Sequence, residues 1–225
     1  MTKNRSANSI IILVTVSCIV MAWVDAIWTP NYALKSGIKL LLFLVIPISY
    51  AMINHNTSFS QLFSFKKQKI LHPFLLGVTV YLLIIGAYFS FGSFFDLTNI
   101  TASLQSTIGV SKNNFIFVAL YISFINSLLE EFFFRGFAFL QLKKHTNRKA
   151  AYFFSASIFA IYHVAIMLDW FSIGLFIVLV VSLVFAGMLF NWLNEKNESI
   201  YTSWFVHMAA NFAINTIGFI LFGII

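Results

Sequence analysis

Glu130, Glu131 and Arg135 sit in the middle of an apolar run, residues 114–143, that is long enough to cross a bilayer at about 1.5 Å per residue. A charge near the bilayer centre costs roughly 2.5 to 3.5 kcal/mol on insertion scales, so three within six residues need a compensating reason. Glu131 and Arg135 are four apart on one helical face and can neutralise each other. Glu130 is turned about 100° from Glu131 and is expected to lack a partner on its own helix. Two other apolar runs carry polar residues at depth: His163, and the pair His207 and Asn211 one turn apart. Counting from the cytoplasmic ends, Glu130 is thirteen residues from Lys143, His163 fourteen from Lys149 and Asn211 thirteen from Glu198. Each is then about 20 Å into the membrane, with His207 and Arg135 at about 13 Å. A single intramembrane Glu/Arg pair reads equally well as a structural ion pair, and a lone His or Asn as an interhelical hydrogen bond. A Glu, two His, an Asn and an Arg brought to one shelf read as a site.

The chemistry open to such a set is peptide hydrolysis by activated water. Glu130 has the type of a general base. The two imidazoles could hold the water by hydrogen bonds, or could ligate Zn2+ together with Glu130, since two His and a Glu form a known catalytic zinc set. The Asn211 amide is a suitable donor to a tetrahedral oxyanion. The sequence has no His-Glu-x-x-His helix, no Gly-x-Ser-x-Gly elbow and no Gly-x-Gly-Asp pair. Soluble zinc, serine and intramembrane aspartyl chemistries therefore have no anchor here.

The elements that must position these residues are membrane helices. With 60% apolar and 9% charged residues over 225 positions, the chain has too little polar surface to cover a soluble globule. The expected fold is all-α, a polytopic bundle of seven spans at 8–28, 34–53, 73–91, 114–143, 150–168, 171–193 and 199–225. Asp25 and Trp28 mark the far interface of the first span, which is read as retained. Lys35 and Lys39 lie near enough to the end of the second span to snorkel, and Pro47 kinks it. Residues 54–73, with Lys66, Lys67 and Lys69, read as a cytoplasmic loop, or else as a short interfacial helix. The polar stretch 92–113 has room for a short surface helix, and Asn99 begins a short glycosylation-acceptor pattern. His55, His72 and His145 fall in loops and are expected to be solvated. Cys18 stands alone in an apolar run, which fits packing and excludes a disulfide framework.

Inside segments would hold ten Lys and Arg against three outside (Lys35, Lys39 and Lys112) if the amino terminus is cytoplasmic, a clear positive-inside bias. The net charge of +7 is therefore a matter of orientation, and no nucleic-acid partner is expected. One structural domain is expected, with three amino-terminal helices (1–113) and a catalytic core (114–225). No internal repeat is visible, which weighs against a transporter.

Three motifs in order on separate spans, Glu130-Glu131-Phe132-Phe133-Phe134-Arg135, Phe159 to His163 and His207 to Asn211, resemble those of the CPBP family. These are the CAAX-protease and bacteriocin-processing intramembrane proteases, also called Abi, which include the type II CAAX prenyl endopeptidases. The resemblance covers about residues 114–212. It implies an intramembrane endopeptidase with Glu130 as the base for water, His163, His207 and Asn211 in the site, and Glu131 and Arg135 in support. It leaves open metallo- or glutamate-type chemistry, hence a possible Zn2+ on His163, His207 and Glu130. The implied partners are the lipid bilayer and a hydrophobic or amphipathic peptide or protein substrate. Bacteriocin processing or self-immunity in a bacterial plasma membrane is the implied setting. A non-catalytic immunity protein or signalling scaffold is the alternative, and a proton-coupled transporter a third reading.

Overall fold

Apolar chain in lipid has no water to satisfy its peptide groups, so each long apolar run closes its hydrogen bonds internally as a helix. The computed structural model describes residues 3–54, 59–64, 71–167 and 171–225. Among these the fold is all helical, without strands. Seven helices are long and apolar enough to cross a membrane: α1 Asn4–Trp28, α2 Tyr32–Ile53, α3 Leu71–Phe94, α5 Phe115–His145, α6 Arg148–Met167, α7 Ile173–Asn197 and α8 Tyr201–Leu221. A shorter helix, α4 Thr98–Ile108, occupies the polar stretch between α3 and α5.

The charged helix α5 is the axis of the bundle. Every residue from 129 to 142 is buried, and α1, α2, α6, α7 and α8 pack around it. Its face toward α2 is aromatic: Phe133 stacks on Phe43 with centroids 4.0 Å apart, and Phe134 and Tyr162 meet the same ring edge-on. Much of the phenylalanine excess is thus core, while residues such as Phe89, Phe94 and Phe185 face outward. Helices α6 and α7 approach closely because Gly187 has no Cβ: one placed there would lie 3.0 Å from the Ala156 Cα. Small residues at such crossings are the usual device of membrane helix packing.

Two helices carry π-helical backbone where the site is built. In α5 it covers Tyr121–Asn126 and Glu131–Gln141, and in α2 it covers Leu41–Val45, ending two residues before Pro47. Proline cannot donate to the preceding turn and crowds the carbonyl four residues back, here that of Phe43, and a widened turn relieves both.

Several expectations need correction. Asp25, three residues before the end of α1, is buried within the protein and pairs with Lys35. The segment after α2 does not simply lie outside the bundle. Ser60–Phe63 is a short 3-10 turn whose Leu62 is buried against α5, and the Leu62 carbonyl accepts the Ile200 N–H at 3.0 Å. Lys66, Lys67, Lys69 and His55 lie outside the described residues. His145 ends α5 half-buried rather than solvated, whereas His72 is exposed.

Candidate active site

Glu130 is 2% exposed, and its two carboxylate oxygens have different surroundings. Oε1 accepts from the Lys39 ammonium at 2.5 Å and from the Asn126 amide at 3.0 Å. Oε2 faces Nε2 of His163 at 3.7 Å and Nε2 of His207 at 3.6 Å. Asn126 is four residues before Glu130, so the carboxylate does have a partner on its own helix. Lys39 does not snorkel. Burial on α5 gives its ammonium an ion pair and a second acceptor, the Asn126 Oδ1 at 2.6 Å, and that offsets a desolvation that water would otherwise have to relieve.

Each imidazole is held by its other nitrogen. His163 Nδ1 lies 2.7 Å from the Phe159 carbonyl oxygen, which can only accept, so Nδ1 carries the proton and donates. His207 Nδ1 lies 2.9 Å from Glu131 Oε1 and donates in the same way. In the neutral rings both Nε2 atoms then present lone pairs toward Glu130 Oε2. Gaps of 3.6 and 3.7 Å are too long for a hydrogen bond. One water, with two protons to donate, can bridge Oε2 and one of the two nitrogens.

Glu131 belongs to the supporting layer. Its Oε2 accepts from the Ser203 hydroxyl, which in turn accepts from the Asn194 amide at 2.6 Å. Arg135 Nε lies 3.5 Å from the same Oε2. The guanidinium is wholly buried and lies over the Phe159 ring at 3.9 Å and near Phe190 at 5.0 Å, so aromatic faces supply much of its electrostatic environment. Asn211 is directed elsewhere: its amide donates to the Ile122 carbonyl at 3.2 Å, in the first π-helical stretch of α5. One N–H is thereby committed to joining α8 to α5.

The imidazoles have the orientation of ligand histidines, with the far nitrogen of each donating to an acceptor. The atoms that a zinc set of His163, His207 and Glu130 would use are the two Nε2 atoms and Glu130 Oε2. The other carboxylate oxygen, Oε1, is engaged by the Lys39 ammonium at 2.5 Å.

Sequence reasoning missed Lys39, Asn126 and Ser203. For Lys39 a signal was present. It lies fourteen residues from Ile53, the end of α2 expected to face the cytoplasm, about 21 Å in, which is the expected depth of Glu130.

Residues 112–213 match the family model described as "Type II CAAX prenyl endopeptidase Rce1-like". The match covers a little under half of the chain, and this segment is similar to that family. No curated protein and no solved structure matches the chain. The Rce1-like segment contains Glu130, Glu131, Arg135, His163, His207 and Asn211, on α5, α6 and α8. Lys39 comes from outside it.

Proposed function

We propose that this multi-pass membrane protein is an intramembrane endopeptidase that cleaves a hydrophobic or amphipathic peptide or protein from the bilayer by glutamate-activated water. The observation that carries the reading is the convergence of Glu130 Oε2 with two Nε2 atoms at 3.6 and 3.7 Å, deep among apolar helices. Water that donates one proton to an imidazole Nε2 and the other to Glu130 Oε2 loses the latter to Glu130, and its oxygen forms a bond to the peptide carbonyl carbon as the carbonyl pair moves onto oxygen. When the tetrahedral species collapses, the C–N bond breaks and the Glu130 proton passes to the departing amine. The uncommitted N–H of Asn211 is the proposed donor to the oxyanion. Glu131 and Arg135 are supporting groups, with Glu131 orienting His207 through Nδ1.

The setting we propose is a bacterial plasma membrane, with a peptide precursor of the bacteriocin-processing or self-immunity kind as substrate. What supports it is the motif resemblance and a composition rich in Asn, Lys, Ile and Phe.

The test is cleavage of a membrane-associated peptide by the reconstituted full chain. Glu130→Gln is expected to abolish cleavage while preserving the helical circular-dichroism signal. Full activity in that variant sinks the assignment of the base. If Glu130→Ala, His163→Ala and His207→Ala all keep the cellular phenotype, the protein acts without proteolysis, as an immunity factor or scaffold.

A further inference from the structure

We infer that Lys39, on a helix outside the Rce1-like segment, is a positioning residue of the active site, anchoring Glu130 Oε1 so that Oε2 is the oxygen presented to the imidazoles. The inference rests on the endopeptidase reading. Lys39 is 6% exposed and lies seven residues from the outer end of α2, Tyr32, about 10 Å down the helix. A lysine stem could lead the ammonium back toward that interface. Instead it turns inward, to Glu130 Oε1 at 2.5 Å and Asn126 Oδ1 at 2.6 Å, with the rings of Tyr162 and Phe43 at 5.0 and 5.4 Å.

The three-way contact has a consequence for the carboxylate. Lys39 donates to Oε1 and to Asn126 Oδ1, and the Asn126 amide donates to the same Oε1. Two donors therefore fix one oxygen, whereas the other has only imidazole nitrogens before it. The chemical difference between the two oxygens of the proposed base is set by α2. Arg135 cannot substitute, because its contact is with Glu131. The aromatic contacts of Phe43 with Phe133 and Phe134 hold α2 in the register that brings Lys39 to Glu130.

A bland role exists as well: an ion pair that merely clamps α2 to α5. Steady-state cleavage by the reconstituted full chain separates the two. Lys39→Met, corrected for folded fraction, is expected to lower kcat by 10- to 100-fold with KM within about twofold, as loss of an orienting partner does. Lys39→Gln, which keeps one N–H for Oε1, is expected to fall between Lys39→Met and the wild type. Unchanged kcat per folded molecule in Lys39→Met, or a loss confined to KM, overturns the inference. In thermal melts Lys39→Met and Glu130→Gln are each expected to lower Tm, and the double variant to recover part of the loss, because each single change leaves a buried charge alone. Additive losses also overturn it. The melts need no activity, so if the wild type fails to cleave, the endopeptidase reading falls while the contact is still decided.

Discussion

At the scale of single residues, the proposed reaction depends on how the imidazoles are held. His207 is directed by a chain of contacts running Asn194, Ser203, Glu131 and then Nδ1, so a buried hydroxyl helps to set the orientation of this ring. Ser203→Ala removes the donor to Glu131 Oε2 and is expected to lower kcat by about 10-fold, in the range seen for orienting partners. Wild-type turnover in a folded Ser203→Ala protein would show that Arg135 alone suffices to place Glu131. The donor set around Glu130 also bears on metal dependence. With Lys39 on the carboxylate, cleavage is expected to survive exhaustive dialysis against a chelator, measured with metal content determined in parallel. Loss on dialysis and recovery with Zn2+ would show instead that Lys39 gives way to a cation.

At the scale of elements, what matters is how closely the helices approach. His163 rides on α6, and α6 is packed against α7 through the Gly187 crossing. A side chain at 187 would meet Ala156 backbone atoms at 3.0 and 3.2 Å, and backbone cannot yield as a side-chain tip can. Gly187→Leu is therefore expected to push α6 and α7 apart, at a cost of about 1 to 3 kcal/mol, and to lower Tm. Turnover should fall with it through displacement of His163. An unchanged melt would mean that the crossing is looser than these contacts imply. The π-helical stretches belong to this scale too. They rotate the side chains of α5 after Glu130 relative to a regular α-helix, and one supplies the Ile122 carbonyl that Asn211 joins.

At the scale of the whole molecule, charge distribution sets orientation. Lys143 and Arg148 converge on Glu195, where Arg148 makes two bonds at 2.7 and 2.6 Å, tying the ends of α5, α6 and α7 into one basic end. With Lys39 buried in the bundle, the outer segments of the expected topology keep Lys35 and Lys112 as their basic residues. Cysteine scanning checks that topology, since the native Cys18 is buried and should stay silent. A membrane-impermeant maleimide added to intact cells is expected to label Ser106→Cys, on the exposed face of α4, and to label Lys144→Cys only after the membrane is opened. The reverse pattern would invert the topology.

The sequence by itself determined the helices and the depth of their polar residues. Apolar length against bilayer thickness decides that a segment spans, and a fixed rise per residue brings Glu130 and His163 to a similar level, whereas His207 rather than Asn211 is the α8 residue beside Glu130, with Asn211 on the Ile122 carbonyl. The four-residue spacing likewise brought Glu131 and Arg135 within 3.5 Å. Depth along an axis is local information, but rotation about the axis and choice of neighbour are not. Only the tertiary structure decided that Lys39 turns to Glu130 rather than to the interface, because the ion pair exists only once α2 is docked on α5 through the Phe43–Phe133 stack. The same holds for Ser203 on Glu131 and for Asn211 on the Ile122 carbonyl, whose partners lie 72 and 89 positions away in the chain. No pattern within a single helix encodes such pairs; they follow from which faces of the helices close-pack, and that is a property of the assembled bundle.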